Sequence, residues 1–294
     1  MKLSIRKLSK TYGNGIQALK EVNLEISHGM FGLLGPNGAG KSTLMRTLAT
    51  LQDADSGEAW LGDLNMLTQK DEVRRVLGYL PQSFGVYPRI SAEELLDHFA
   101  ALKGVHHKGE RKDLVEALLR QTNLWNVRKR HVGKYSGGMK QRFGIAQALI
   151  GDPKLIIVDE PTAGLDPAER YRFHNLLSEL GENTIVILST HIVEDVSDLC
   201  EQMAILYQGE VLITGEPAAL ISAAEGKVWE ATIDKGDLPA QEAAHQIISS
   251  RHFAGRIVLR VWADKNPGEG FASAAPSLED VYFHTIQESE REPA

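Results

Sequence analysis

A glycine-rich turn, Gly35-Pro36-Asn37-Gly38-Ala39-Gly40-Lys41-Ser42-Thr43, separates an apolar run over 30–34 from a helical pattern that begins at Leu44. A strand, a glycine-rich turn and a helix in this order are typical of a phosphate-binding loop. The glycines let backbone N–H groups curl around phosphate oxygens, and the following helix points its positive end at the same anion. The alternative is a glycine turn that binds nothing, but the flanking segments favour nucleotide binding.

Two side chains of this turn, Lys41 and Ser42, are expected to contact the nucleotide most directly. In a loop of this kind the lysine ammonium reaches the β- and γ-phosphates, and the serine hydroxyl binds Mg²⁺. The sequence therefore predicts a nucleotide site with Mg²⁺. Its binding residues would be Gly35, Pro36, Asn37, Gly38, Ala39, Gly40, Lys41, Ser42 and Thr43.

A second chemical feature is the acidic pair Asp159-Glu160, which ends a continuous apolar run over 155–158. Such a run predicts a central strand of a parallel sheet, buried on both faces. Because ligands bind at the carboxyl ends of parallel strands, we expect both acids to face the nucleotide. Asp159 is predicted to hold Mg²⁺, and Glu160 to orient or deprotonate the attacking water. Taken alone, the pair is equally consistent with solvated acids at a strand end.

The segment Ser136-Gly137-Gly138 repeats the logic of the phosphate-binding turn. A serine cap, two small residues and the free N–H groups of the following helix predict a second anion site. It has no lysine, so it would bind weakly by itself. A simple capped turn is the alternative.

Along the chain, strands and helices alternate, which predicts an α/β protein with a mainly parallel sheet and helices on both faces. Residues 91–150 are predicted to form a helical insert. Beyond Pro217 the pattern weakens, and alternating runs over 228–233 and 256–262 predict antiparallel strands with a helix between them near 239–250. Residues 266–276 are expected to be a loop, and a last helix is expected to start at Ser277. We therefore expect a small α+β domain over 217–294.

Length and composition limit the possible functions of the 294-residue chain. Its formal net charge of −7 argues against a general nucleic-acid binder, so no nucleic-acid partner is expected. A single cysteine cannot form an internal disulfide, which favours a reducing compartment. The first residues lack the apolar run of a signal peptide, and no stretch is long and apolar enough to span a membrane. If the protein works in transport, the pore must come from another chain.

Read together, these motifs resemble the ATPase subunit of an ABC transporter. The motifs stand in the order typical of that family. They are the Walker A segment Gly35–Thr43, the Q-loop residue Gln82, the signature Ser136-Gly137-Gly138, the Walker B segment Leu155–Glu160 and the switch histidine His191. Asp166, in Ala163-Gly164-Leu165-Asp166, matches the D-loop, and Tyr12 matches the aromatic residue that stacks on adenine. The resemblance covers residues 1–216. It implies that the nucleotide is ATP and that the fold is a P-loop NTPase core with an antiparallel β subdomain and the helical insert.

The resemblance implies a mechanism in which two copies of the chain pair head to tail. Ser136 of one copy would face the γ-phosphate held by Lys41 of the other, and hydrolysis would open the pair. Gln82 would contact the metal or the water and sense an integral-membrane permease through the loop 83–89. His191 would contact the γ-phosphate. The implied location is cytoplasmic, on the inner face of the cell membrane through the permease.

The signature departs from the usual family pattern at two positions, Tyr135 and Met139, where leucine and glutamine are usual. Met139 cannot make the polar contact of a glutamine, but the backbone anion site is retained. This form, and the segment 277–282, resemble the branch that exports drugs, polysaccharides or lipids. The alternative is an ABC-type ATPase with a mechanical or regulatory role. The single module and the short insert argue against a mechanical role, and Glu160 together with His191 argues against a purely regulatory one.

Overall fold

The computed structural model describes residues 1–82, 85, 87–162, 164–181 and 184–291. Within these ranges the chain forms fourteen strands in three sheets and ten α-helices. The strands are β1 Leu3–Thr11, β2 Gln17–Ile26, β3 Gly29–Leu34, β4 Ser56–Leu61, β5 Leu64–Asn65, β6 Leu77–Leu80, β7 Leu155–Asp159, β8 Ile185–Thr190, β9 Gln202–Tyr207, β10 Glu210–Gly215, β11 Val228–Ile233, β12 Ile247–Phe253, β13 Arg256–Trp262 and β14 Ala272–Ser273. The helices are α1 Lys41–Leu48, α2 Lys70–Val76, α3 Ala92–Leu102, α4 Lys108–Gln121, α5 Gly137–Ala148, α6 Pro167–Gly181, α7 Val193–Leu199, α8 Pro217–Ala223, α9 Leu238–Ala244 and α10 Leu278–Arg291.

The central sheet has the order β10-β9-β3-β8-β7-β6, and every neighbouring pair except β10 with β9 is parallel. Every residue of β3, β7 and β8 is buried, as their continuous apolar sequences predict for strands covered on both faces. Leu34 pairs with Thr190, and Asp159 pairs with Ser189. The carboxyl ends of these three strands therefore lie side by side, which confirms the predicted α/β fold.

A second sheet, in the order β2-β1-β4-β5, is antiparallel throughout. Its inward residues, including Leu3, Ile5 and Leu61, share one apolar core with α1 and the central sheet. This core holds the helix that follows the phosphate-binding turn, because Leu44 and Leu48 of α1 are fully buried in it.

The helical insert consists of α3, α4 and α5 around an apolar core of its own. Ser91 and Glu94 form the expected capping box at the start of α3: the Ser91 hydroxyl accepts from the Glu94 N–H, and the Glu94 carboxylate accepts from the Ser91 N–H. The insert contacts the central sheet mainly through α5, which packs on β6. A membrane-crossing helix, which needs both length and continuous apolar character, does not occur in the described ranges.

The last sheet has the order β12-β13-β11-β14, and α10 packs against β12 on one side and against α7, α8 and β10 on the other. The expected pairing of 228–233 with 256–262 is confirmed by β11 and β13. The expected helix over 239–250 is wrong in its second half, because α9 ends at Ala244 and 247–253 form β12. The strand pairs with β13 through a tight turn at Ala254-Gly255, where both residues have positive φ. The loop expected over 266–276 contains the short strand β14.

Candidate functional site

The phosphate-binding turn lies between the end of β3 and the start of α1, as its sequence predicts. Gly40 directly precedes α1 and has φ 108°, a left-handed conformation that strains any residue with a Cβ. A Cβ at Gly40 would also collide with the backbone carbonyl oxygen of Ala18, and one at Gly35 would collide with that of Leu206. Glycine is therefore required at both positions, and the turn is fixed by its neighbours rather than free.

Lys41 is the first residue of α1, and its side chain is only 4% exposed. Its ammonium donates hydrogen bonds to the carbonyl oxygens of Gly35 (2.6 Å) and Pro36 (3.1 Å). Burial lowers the pKa of Lys41, while the nearby carboxylates of Glu160 and Asp159 act in the opposite direction. A cation is thus held inside the curve of the turn, where phosphate oxygens would lie.

Asp159 is the last residue of β7 and lies on the same sheet edge. Burial raises the pKa of its carboxyl group, and Glu160 adds to the increase, while the nearby hydroxyls of Ser189 and Ser42 favour the charged form. Among the described residues, the Asp159 Oδ1 atom is buried without a hydrogen-bond partner. An unpaired buried carboxylate oxygen beside a serine hydroxyl is what a divalent cation would use.

Glu160 has φ 48°, although it is not a glycine, and its N–H donates to the carbonyl oxygen of Ser189 (2.8 Å). The Gln82 amide Nε2 donates to its Oε2 (2.8 Å), and His191 Nδ1 lies 3.3 Å from its Oε1. Lys41 Nζ lies 3.6 Å from the same Oε1. The structure therefore brings together all three residues that were predicted to be catalytic, from segments far apart in sequence.

A cavity of about 560 Å³ opens over the turn and is lined by residues from several segments. Tyr12 borders it, and its hydroxyl lies within hydrogen-bond distance of Thr43 Oγ1 (3.1 Å) and Gln52 Oε1 (3.2 Å). The lining residues are Tyr12, Ile16, Gln17, Ala18, Lys20, the turn residues 36–43, Gln82, Glu160 and Gln208. Gln208 was missed by the sequence analysis, because nothing in the sequence indicates that the turn before β10 approaches the cavity.

Ser136, Gly137 and Gly138 lie at the start of α5, away from this cavity. The Ser136 hydroxyl accepts from the Met139 N–H (3.3 Å), so the serine caps the helix as predicted. Asp166 also caps a helix: its Oδ1 accepts from the Glu169 N–H (2.9 Å) at the start of α6. Within one chain, therefore, neither segment joins the cavity that contains Lys41 and Glu160.

The two unusual signature residues pack into the helical insert. Tyr135 is buried, and its hydroxyl donates to the carbonyl oxygen of Val127 (3.0 Å). Met139 packs against the apolar core of the insert. Two predicted segments fall partly outside the described residues: Ser83, Phe84 and Val86 of the loop 83–89, and Ala163 beside Gly164.

The chain is similar to known proteins along most of its length. The ABC transporter family profile matches residues 19–163. An uncharacterized ABC transporter ATP-binding protein of Bacillus subtilis, YxlF, is 35% identical over 97% of this chain and 99% of its own length. The probable multidrug ABC transporter ATP-binding protein YbhF of Escherichia coli is 39% identical over 67% of this chain, which spans 34% of that longer protein.

Among solved structures, the chain resembles a dimeric ATP-binding cassette in a post-hydrolysis state, bound to ADP and Pi. The TM-score is 0.66 at 29% identity, and the match covers 73% of this chain and 98% of that one. The part of the chain beyond this match corresponds in size to the C-terminal segment with its own sheet.

Proposed function

Because the chain belongs to the ABC transporter family and is one of its ATP-hydrolysing subunits, we propose that it pairs with a second copy of itself around ATP to drive a separate membrane permease. The direction that we propose is export. One observation carries the pairing. The cavity contains a phosphate cradle and an acidic residue for water, while the second anion-binding segment lies elsewhere on the same chain. A second copy would bring that segment to the cavity.

The ground-state contacts with ATP would come mainly from the turn 35–43. Its backbone N–H groups and the positive end of α1 would bind the phosphates, and the Lys41 ammonium would exchange its carbonyl partners for phosphate oxygens. Tyr12 lies at the rim of the cavity with 37% of its surface exposed, which suits a ring that stacks on adenine.

Mg²⁺, when bound, would neutralise charge on the phosphate oxygens. Two side chains fit it: Asp159, whose Oδ1 has no hydrogen-bond partner in the part of the chain that the structure describes, and Ser42, in the first turn of α1. Gln82 would contribute its amide oxygen, since its Nε2 is already bonded to Glu160.

Glu160 would act as the base that orients or deprotonates water. Its carboxylate is 8% exposed and is held by Gln82 and His191, so its direction is fixed before the nucleotide enters. His191, with 44% of its side chain exposed, remains accessible to a γ-phosphate at the open side of the cavity. The contacts of Glu160 and the exposure of His191 support these proposed roles.

The permease would dock in a groove of about 760 Å³ between α2, β6 and α3, whose wall includes Tyr79, three residues before Gln82 in sequence. Two large apolar side chains in its wall, Leu51 and Leu102, are 62% and 72% exposed, and Arg74, Arg75 and Lys103 add positive charge. An exposed apolar surface with a polar rim is typical of an interaction site. The name of the Escherichia coli relative, a probable multidrug transporter protein, supports a drug-like cargo and export.

We also propose that 1–216 acts as the ATP-binding domain and 217–294 as an accessory domain. The separate four-stranded sheet of the accessory segment supports this division. The chain would lie on the inner face of the membrane, where the permease would hold it.

A Glu160→Gln variant tests the proposed function. Glutamine keeps the size of the side chain but cannot take a proton, so hydrolysis should fall by about 10²- to 10⁴-fold. ATP should still bind, and an ATP-bound dimer should accumulate in size-exclusion chromatography. Glu194→Gln, an exposed acid three residues after His191, should hydrolyse ATP at the wild-type rate. Undiminished turnover in Glu160→Gln would exclude Glu160 as the base.

A further inference from the structure

Asp195 is a fully buried carboxylate in α7 that receives hydrogen bonds from several directions. The hydroxyls of Thr162 (2.6 Å) and Thr190 (3.3 Å) donate to its Oδ2. The Arg170 guanidinium Nε donates to Oδ1 (2.8 Å), and His174 Nε2 lies 2.8 Å from the same oxygen. Both carboxylate oxygens are therefore occupied, and the charge is paired with a cation.

The two oxygens of Asp195 contact different parts of the molecule. Oδ2 binds the ends of two neighbouring strands, because Thr162 follows Glu160 by two residues and Thr190 directly precedes His191. Oδ1 binds α6, the helix capped by Asp166. One carboxylate thus connects the sheet edge that carries Glu160 and His191 to the helix that begins at the predicted D-loop.

The backbone around Glu160 needs such support. A non-glycine residue with φ 48° is strained and persists only where the surrounding structure enforces it. The backbone at Glu160 is restrained by the hydrogen bond from its N–H to the Ser189 carbonyl oxygen. Two residues further along the chain, the Thr162 side chain is held by its hydrogen bond to Asp195. The Thr190 hydroxyl also accepts from the Ile192 N–H (3.0 Å), so both neighbours of His191 are fixed.

The charge state of Asp195 is consistent with this function. Burial would raise the pKa of its carboxyl group, but the hydrogen bonds from His174 and Thr162 and the charge of Arg170 outweigh burial and lower the pKa. The group is therefore an ionised acceptor at neutral pH. An ionised carboxylate can accept hydrogen bonds from the two threonine hydroxyls and from the Arg170 guanidinium at the same time.

We infer that Asp195 is a positioning residue for ATP hydrolysis: it fixes the two strand ends that carry Glu160 and His191 and ties them to α6. This inference rests on the proposed roles of Glu160 and His191. Asp195 does not line the ATP cavity, so it would act on the catalytic step and not on nucleotide binding.

The test compares Asp195→Asn with Asp198→Asn, an exposed aspartate one turn further along α7. Asparagine keeps the shape but replaces one accepting oxygen with an NH₂ donor, which must face either the hydroxyls or the guanidinium. The turnover number kcat is expected to fall about 10- to 100-fold. The Kd for ATP, measured by calorimetry, is expected to stay within about twofold of the wild-type value. Asp198→Asn should change neither quantity.

An unchanged kcat in Asp195→Asn would overturn the inference. The inference would also be overturned if the loss of turnover equalled the loss of folded protein measured by circular dichroism. Asp195 would then contribute only to folding and not to the catalytic step. A failure of the proposed function is distinguished by a different variant. Glu160→Gln would then hydrolyse ATP at the wild-type rate, irrespective of the kcat of Asp195→Asn.

A second variant, Thr162→Val, keeps the test valid if Asp195→Asn does not fold. Valine has the same shape as threonine but lacks the hydroxyl, so kcat should again fall with little change in the Kd for ATP. In the double variant the two losses should not multiply, since both break one hydrogen bond. A Thr162→Val protein with wild-type kcat would overturn the inference.

Discussion

Asp159 illustrates how a side chain suited to a metal reduces the stability of the free protein. Its carboxylate is 3% exposed, Oδ1 is unpaired among the described residues, and burial raises its pKa. When the pKa of a carboxyl group is higher in the folded than in the unfolded chain, the free energy of unfolding of the protein falls with rising pH. The fall occurs between the unfolded-state pKa and the folded-state pKa. At pH 7, well above the ordinary pKa of an aspartate, the buried Asp159 carboxyl group therefore opposes folding.

We accordingly expect Asp159→Asn to raise the Tm at pH 7 in the absence of nucleotide and metal, while it strongly reduces turnover with Mg-ATP. The gain in Tm should shrink as the pH is lowered through the same window, because wild-type Asp159 then becomes neutral too. Thermal unfolding at several pH values measures this. Asp152→Asn is the control: its side chain is 91% exposed, and asparagine tolerates its left-handed backbone. A lower Tm for Asp159→Asn at pH 7 would contradict the expectation.

At the level of single residues, the sequence indicated candidate side chains for the site but not how they contact one another. Gln82 and His191 are ordinary loop residues in isolation, and only the order of the motifs singles them out. Their shared contact with Glu160 depends on the pairing of β6, β7 and β8, which no local pattern encodes. Asp195 was missed because its four partners are scattered over 162–190.

Among the elements, α10 fixes the C-terminal segment to the rest of the chain. Leu278 and Tyr282 share a core with Phe173 and Val196 of the ATP-binding part. At the start of α10, the buried Asp280 accepts two hydrogen bonds from the Arg260 guanidinium (2.8 and 2.9 Å). Asp280 also caps the helix, since it accepts from the Ser277 N–H (2.8 Å).

Asp280→Ala should therefore destabilise the C-terminal segment by about 2–4 kcal/mol, because it removes the acceptor of the Ser277 N–H and leaves Arg260 without its main partner. Arg260 keeps a longer contact with Glu230 and is one quarter exposed, which limits the loss. Urea unfolding measures the free energy. Glu279→Ala, an exposed neighbour in the same turn, should cost less than about 0.5 kcal/mol. Equal losses in the two variants would show that the buried pair is not stabilising.

The success of sequence analysis at the element level depended on the strength of the local pattern. Buried parallel strands are continuous apolar runs, and α10 has a serine cap with an acid three residues later, so both were predicted correctly. β12 was predicted as helix because Ser249 to His252 lack clear alternation and the turn Ala254-Gly255 lacks asparagine or aspartate. Its strand conformation comes from pairing with β13, a tertiary contact.

For the whole molecule, the central feature is that the starts of α1 and α5, which we propose to be anion sites, do not meet within one chain. Lys41 lies inside the cavity, and Ser136 lies outside it. A Cβ at Gly138 would collide with Glu169 Oε2, so a larger residue there would require the Glu169 side chain to move. A head-to-tail pair would complete both cavities at once. The sequence predicted two half-sites, and within one chain the two predicted segments lie apart.

Mixing Lys41→Ala with Ser136→Arg subunits tests this composite site most directly. In a head-to-tail heterodimer, one cavity carries both substitutions, and the other combines an intact Lys41 with an intact Ser136. Each variant alone should be nearly inactive. Two affinity tags establish that heterodimers form, and ATP turnover is then measured on the doubly purified fraction. We predict that the heterodimer regains turnover well above that of either variant. A heterodimer no more active than its parents would contradict the composite site.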